Sequence, residues 1–471
     1  MTAAAYDNLL LGKGLMLNTE REISDILKET DDPAVQQAYS NYLYDRHLFE
    51  QLQTADRSTI AVDVDSLARQ IERHEFEMQK YCGDFTRPLA MTWRDVAGAL
   101  GAGEAAVEFT TWHHTDGTER YVALVLHGGD KAPVLVNLPA TDLGKIWRRS
   151  PADLSESLWK PMAESLAGAT RIYFSPAGEI HSIPVETLPD WERPGELVAD
   201  RWDMCRLSST RELALARKEQ PMVSATVYGG LHYDADPQAI EADSRRYALR
   251  NGTLSRDMGA DPLEISAQDS TLRAGAAYLP GTLAEARTIH SSLASRMPQR
   301  TQLFTDTIGT ETSFKALSGT GCSLVHVATH GFSWSPREAS RMRKLSFLNF
   351  NDDAPIEPED KALSRSGLLF AGANNALRGY AVPEGVDDGI LSAREIASLD
   401  FRNLDLLVLS ACETGLGEIT GEGVFGLQRG FKKAGAGAIM MSLWKVDDNA
   451  TRMLMTKFYE QLLAGKTKRQ A

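Results

Sequence analysis

Two apolar runs of strand length constrain this chain more than any other feature: Leu324-Val-His-Val-Ala-Thr-His330-Gly331 and Leu406-Leu-Val-Leu-Ser-Ala-Cys412-Glu-Thr-Gly415. Each breaks at its carboxyl end into small residues and a glycine turn. In an open α/β sheet, that end of a strand is where ligands and chemistry collect. One run therefore delivers an imidazole to the rim and the other a thiol. A Cys and a His far apart in sequence but brought together in space are the minimum equipment of a cysteine protease.

The rest of the chain fits an α/β reading. Residues 1–85 read as a helical segment. Thr19-Glu-Arg-Glu22 is a capping box, followed by apolar stripes at helical spacing through Ile23, Ile26 and Leu27, then Val35, Tyr39 and Leu43, then Val64, Leu67 and Ile71. No internal period of about 34 residues marks these hairpins as repeats. Residues 86–220 carry strands at Ala106-Val-Glu-Phe-Thr, Tyr121-Val-Ala-Leu-Val-Leu, Val134-Leu-Val and Arg171-Ile-Tyr-Phe-Ser, with a helix over 154–166. Residues 221–471 hold Ala225-Thr-Val-Tyr-Gly-Gly, a helix over 282–293, the His run, Gly367-Leu-Leu-Phe, the Cys run, a helix over 422–433, Gly437-Ala-Ile-Met-Met-Ser and a helix over 449–463. Strands spaced by helices predict a doubly wound, mostly parallel sheet. The first block has its own strand-to-turn element, Ile172-Tyr-Phe-Ser-Pro-Ala-Gly178-Glu-Ile-His181, with no cysteine in a matching place. It is expected to be a non-catalytic companion to the second block. Two long segments poor in periodicity, 333–363 and 371–388, leave the rim or the strand beside it; they either wall a substrate cleft or are solvated surface insertions.

Composition narrows the function classes. With 43% hydrophobic and 24% charged residues, the chain is neither disordered nor fibrous. A net charge of −14 disfavours nucleic acid as a partner. No apolar run of about 18 residues occurs and no signal sequence opens the chain, so neither a membrane nor secretion is expected. Cys82, Cys205, Cys322 and Cys412 show no CxxC spacing, which argues against a zinc site or a disulfide framework. A cytoplasmic setting, with no metal and no cofactor, follows as the expectation. It would keep a catalytic thiol reduced.

An unperturbed thiol, with a pKa of about 8.5, is mostly protonated at neutral pH. An imidazole beside it takes the proton and later returns it to the leaving amine. His330 and Cys412 are the candidates. Cys82, Cys205 and Cys322, together with His326 within its strand, read as structural. Gly331 after the His and Ala411 before the Cys let backbone approach a substrate closely.

Several stretches resemble the CHAT domain, a caspase-like branch of cysteine peptidases related to separase, gingipains and metacaspases. They are Leu409-Ser-Ala-Cys-Glu-Thr-Gly-Leu-Gly417, Gly421-Glu-Gly-Val-Phe-Gly-Leu427, Ala434-Gly-Ala436 and Ser442-Leu-Trp-Lys-Val-Asp-Asp448, with Val327-Ala-Thr-His-Gly331 and Asp388-Gly-Ile-Leu-Ser-Ala-Arg-Glu-Ile396 upstream in the right order. Ile172-Tyr-Phe-Ser-Pro176 and His181-Ser-Ile-Pro-Val-Glu-Thr-Leu188 are similar to the family's N-terminal half. The resemblance implies a caspase-like α/β fold, a His330–Cys412 dyad, and an oxyanion hole on the backbone of Gly331 and Cys412. It also implies a protein substrate cleaved through a thioester, in a bacterial regulatory or defence system. CHAT domains commonly follow an array of tetratricopeptide repeats, and the family usually continues past the helix at 449–463. Both departures point to a piece of a longer TPR-CHAT protein, with an activating partner acting through the N-terminal helices.

In caspase-like enzymes the element after the Cys strand lines the pocket for the residue before the scissile bond. Here it resembles Ser442-Leu443-Trp444, with Asp447 and Asp448 just beyond and Asp388 adding negative charge. The competing role for Asp447 or Asp448 is to cap the next helix. Lys445 is the only cation in 442–448, so a preference for Asp is not expected. Lys or Arg, or a long apolar residue such as Leu or Met, remains. The alternative from another class is a catalytically silent interaction scaffold, against which the intact His-Gly and Ala-Cys-Glu-Thr-Gly motifs argue.

Overall fold

Alternation along strand β1 (Glu104–His113) sends Ala105, Val107 and Phe109 to one side and Ala106 and Glu108 to the other, and both sides are buried. The computed structural model describes residues 2–13, 91–113, 119–139, 149–215, 221–251, 275–333, 363–380, 386–411, 418–420, 423–443 and 446–471. These residues fall into two units. The first draws on 1–19, 86–219 and 418–425, and the second on 20–85, 220–417 and 426–471. The helical expectations within 19–85, and most of the 333–363 segment, lie outside the described residues.

The first unit contains helices α1 (Thr2–Gly12) and α2 (Trp93–Ala99), strands β1, β2 (Glu119–His127) and β3 (Val134–Asn137), helix α3 (Pro151–Leu158), and strands β4 (Arg171–Ser175) and β5 (Asp203–Arg206). Its sheet runs β3-β2-β1-β4-β5, antiparallel on the β2 side of β1 and parallel on the β4 side. One face packs Phe109, Phe174 and Trp202 around Trp159, with ring centroids 5.9 Å apart, and the Trp159 indole donates to the Val185 carbonyl at 3.1 Å. The other face is covered by α1 and α2 through Tyr6, Leu10, Trp93 and Val96. The helix expected over 154–166 stops at Leu158 and gives way to a 3-10 turn, Lys160–Met162. Pro161 has no N–H to continue the α-helical ladder.

The second unit opens with β6 (Ala225–Leu231), α4 (Pro237–Asn251), α5 (Pro280–Arg296), β7 (Thr301–Asp306), α6 (Glu311–Lys315) and β8 (Leu324–Ala328). It continues through β9 (Gly331–Ser333), β10 (Ser366–Leu369), α7 (Ala373–Leu377), β11 (Ile390–Ser392), α8 (Ala393–Ala397) and β12 (Leu406–Ser410). Strands β13 (Glu418–Thr420) and β14 (Gly423–Phe425) form a hairpin that belongs to the first unit. Helix α9 (Leu427–Lys433), β15 (Ala438–Met441) and α10 (Asp448–Leu463) complete the second.

Its main sheet, β15-β12-β8-β6-β7, is parallel throughout. The chain starts at β6, steps outward to β7, then returns past β6 to β8, β12 and β15. The order reverses between β6 and β8, and in such sheets that switch point opens the crevice where ligands bind. Alternate residues of β8 and β12 feed opposite cores. Leu324, Leu406 and Val408 pack with Ile289, Leu293, Phe458 and Tyr459, while Val325, Val327, Leu407 and Leu409 pack with Phe314, Ile396 and Phe431. This double-sided burial explains why the two runs lack polar alternation.

Two further expectations differ from the structure. Gly367-Leu-Leu-Phe is not in the main sheet: β10 lies between β9 and β11 in a separate antiparallel sheet. The helix expected from 422 begins only at Leu427, because Gly423, Val424 and Phe425 pair as the second arm of the hairpin. Gly423 and Gly426 weaken a helix there, and Val and Phe favour a strand. Gly430 remains helical and packs against α8, where a Cβ would stand 2.5 Å from the Ala393 carbonyl oxygen.

Candidate active site

Parallel pairing sets the level of the two strand ends. Leu406 stands opposite Leu324, and the ladder runs without a slip to Ser410 opposite Ala328. His330 and Cys412 each follow that last pair by two residues. Cys412 itself lies outside the described residues, as does Trp444. Ala411, just before the cysteine, is buried, and its carbonyl accepts a hydrogen bond from Ser442 Oγ at 2.7 Å. Ser442 and the half-buried Leu443 therefore stand beside the end of β12.

His330 is half-buried at the point where the chain leaves β8 for β9. Its Nε2 lies 2.8 Å from the Ala277 carbonyl oxygen. A carbonyl only accepts, so a neutral imidazole in this contact carries its proton on Nε2 and presents a lone pair on Nδ1. The backbone N–H of His330 donates to Tyr233 Oη at 3.3 Å, and its carbonyl accepts from Leu369 N at 2.9 Å. The Tyr233 ring stands 5.1 Å from the imidazole, centroid to centroid. The same hydroxyl bonds Thr329 Oγ1 at 2.9 Å, and Thr329 Oγ1 donates to the Leu369 carbonyl. Burial pushes the Tyr233 phenol up to about 12, so it remains protonated.

Gly331 begins β9 opposite Leu368. The Leu369 N–H to His330 carbonyl bond marks Gly331 and Leu368 as a pair that does not exchange ladder hydrogen bonds. The Gly331 amide thus points away from β10, as an oxyanion donor at this position requires. At the next pair, the Phe332 ring covers Gly367, where a Cβ would fall 2.5 Å from the ring edge.

The candidate pocket carboxylates are more engaged than sequence spacing suggests. Asp447 is the N-cap of α10, its Oδ1 accepting from Asn449 N and Ala450 N at 3.0 Å each. Asp448 is the first residue of that helix. Asp388 Oδ1 accepts from Ile390 N at 2.8 Å, and burial pushes its carboxyl up to about 6 against that bond. Beside it, Lys315 Nζ contacts Glu311, Asp387 and Glu395 at 2.6, 2.8 and 2.9 Å. Glu311 Oε2 also accepts from Gly389 N at 2.8 Å, and burial drives the Glu311 carboxyl well up. No group of three or more His, Cys, Asp or Glu among the described residues is placed to hold a metal ion.

Cys322 is buried, burial pushes its thiol up, and it lies 3.4 Å from Thr226 Oγ1. Cys205 is half-buried in β5, and Cys82 lies outside the described residues. His326 is fully buried between Glu285 and Tyr459. Its Nε2 stands 3.1 Å from Glu285 Oε1 without hydrogen-bond alignment, and its Nδ1 is 3.2 Å from Tyr459 Oη. His181, in the first unit, is lowered to about 3 by burial and by the nearby Lys13 and Arg206 charges.

Sequence reading missed Tyr233 and Ala277. Tyr233 had a detectable signal, since Leu231-His-Tyr233 ends a third parallel strand at the same rim. Ala277 had none, because its contribution is a backbone carbonyl.

No helix among the described residues is long and apolar enough to cross a membrane. The sequence matches the CHAT domain over residues 148–471. Tetratricopeptide repeat protein 28 of Mus musculus is 36% identical over 77 residues, and that of Homo sapiens is 34% identical over 76 residues. Each match covers 16% of this chain, and the chain spans only 3% of the length of either relative. With most of its length matched, and with a parallel caspase-like sheet that carries a His-Gly turn at its switch point, this chain belongs to the CHAT-domain family.

Proposed function

We propose that the chain is a cysteine endopeptidase acting on a protein substrate through Cys412 and His330. The observation that carries this reading is the unslipped β8–β12 register, which brings both strand ends to one level. His330 Nδ1 takes the Cys412 proton, and the thiolate sulfur attacks the scissile carbonyl. The amides of Gly331 and Cys412 receive the oxyanion. The imidazolium then protonates the leaving amine, and water attacks the thioester to release the acid and restore the thiol.

Residues 442–444, with Asp388, Asp447 and Asp448, form the pocket side of this reading. The substrate carries Lys or Arg, or a long apolar residue such as Leu or Met, before the cut. The relatives are named for tetratricopeptide repeats, and helical repeats take protein partners. That supports activation by a protein acting through the N-terminal helices; the cytoplasmic setting is part of the proposal and does not rest on the relatives. Proteome-wide mapping of new N-termini, comparing wild type with Cys412→Ala and His330→Ala, tests the proposal. Cleavages common to wild type and absent from both variants are expected. Cleavage that persists in Cys412→Ala, or a peptide-based thiol probe that labels only Cys82, Cys205 or Cys322, refutes it.

A further inference from the structure

His330 is held by a closed circuit of hydrogen bonds, and one member is a side chain with no other evident task. Asn374, in α7, is fully buried. Its Oδ1 accepts from Ala276 N at 2.6 Å and its Nδ2 donates to the Ala276 carbonyl at 3.0 Å. The amide orientation is unambiguous, because a backbone N–H must face the oxygen and a backbone carbonyl the NH₂. The next residue is Ala277, whose carbonyl takes His330 Nε2 at 2.8 Å. The Asn374 backbone N–H donates to the Tyr233 carbonyl at 2.9 Å, and Tyr233 Oη in turn accepts from His330 N.

We propose that Asn374 is the positioning residue of the site: its carboxamide clamps Ala276 so that the Ala277 carbonyl fixes His330 as the Nε2–H tautomer, leaving the Nδ1 lone pair as the base. The inference rests on the peptidase reading for its catalytic consequence, though the tautomer can be observed without it. A second observation points to the same clamp. Gly275, directly before Ala276, has φ +72°, and a Cβ there would stand 2.8 Å from the Asn374 carboxamide. Residue 275 must therefore be left-handed and lack a side chain for the amide to reach the strap. A backbone strap cannot hold itself at one distance from the imidazole, whereas an amide that satisfies both polar groups of Ala276 can. A shift of about 1 Å at a reacting group costs on the order of 10²-fold in rate.

The test uses the full chain labelled with ¹⁵N-histidine, with His330 assigned by its loss in His330→Gln. Wild type is expected to show His330 as the Nε2–H tautomer, and Asn374→Ala and Gly275→Ala as a mixture of tautomers. Turnover of a fluorogenic peptide chosen from a scanning library should fall about 10²-fold in both variants at unchanged KM. Should Asn374→Ala fail to fold, Gly275→Ala, which leaves the carboxamide in place, carries the test alone. A folded variant that keeps the wild-type His330 tautomer overturns the proposal, whatever its activity. A wild type with no turnover but a tautomer that depends on Asn374 upholds the clamp and removes the peptidase reading instead.

Discussion

Lys13, the residue after α1, is buried in the first unit with its ammonium at the end of β4, and replacing it by Met should be among the most destabilising changes available there. Its Nζ donates to Glu108 Oε2 at 2.9 Å, Ser175 Oγ at 2.9 Å, the Pro176 carbonyl at 2.9 Å and the Ser175 carbonyl at 3.2 Å. Glu108 is fully buried, and its other oxygen accepts from Ser209 Oγ at 3.0 Å, Thr210 N at 2.6 Å and Thr210 Oγ1 at 2.8 Å. Burial lowers the Lys13 ammonium from its ordinary range and Glu108 opposes that shift. Met matches the length of the side chain and removes only the charge and its donors. Breaking one side of a buried pair costs about 3–5 kcal/mol, since a carboxylate is left without its counter-charge. Glu108→Gln in the same background removes that orphaned charge while its amide oxygen still accepts. The double variant should therefore recover about 2 kcal/mol over Lys13→Met alone. Urea unfolding followed by tryptophan fluorescence reads mainly this unit, since six of the eight tryptophans fall within its sequence ranges. Among the described residues, the tryptophans Trp93, Trp112, Trp159, Trp191 and Trp202 all lie in it. A Lys13→Met variant within about 0.5 kcal/mol of wild type, or a double variant less stable than the single, would refute the reasoning.

One buried group in each unit should contribute to the pH dependence of stability with opposite sign. His181 is held neutral down to about 3, so between about 6.5 and 3 the unfolded chain binds a proton that the folded one refuses. Its contribution is full above that range and falls by up to about 1.4 kcal/mol per pH unit on acidification. The stability difference between wild type and His181→Gln, measured by the same fluorescence, should narrow as pH drops, and a constant difference would contradict the assignment. Asp388 is raised to about 6 from 3.8, so its folded form keeps a proton longer than the unfolded one. Its contribution is present below 3.8 and lost as pH rises through 6. Above that, Asp388→Asn should slow hydrogen exchange of the β11 amides relative to wild type, with the gap closing toward acid. An unchanged exchange rate at every pH would show that the carboxyl is not desolvated there.

Residue identity alone was enough to place the two strand runs, their glycine exits and the imidazole at the rim, because a strand buried on both faces must be apolar along its whole length. It left Asp447 and Asp448 open between a pocket carboxylate and a helix cap, and the structure makes Asp447 the cap of α10. The doubly wound sheet followed from strands spaced by helices. What the sequence left open depends on partners far away along the chain. Lys13 reads as a surface lysine until Glu108 and Ser175 close over it from 95 and 162 residues away. The sequence reading puts Gly423-Val-Phe425 in a helix, and pairing with Glu418–Thr420 makes it a strand instead. The support of His330 was least legible. Ala277 acts through a backbone carbonyl that every residue possesses, and Asn374 differs from any other asparagine only in what lies 2.6–3.0 Å from its amide. Patterning determines which segments become strands and helices because burial and hydrogen bonding act on side-chain type. Which carbonyl meets which imidazole is decided by distances that exist only after the sheet and the strap have packed.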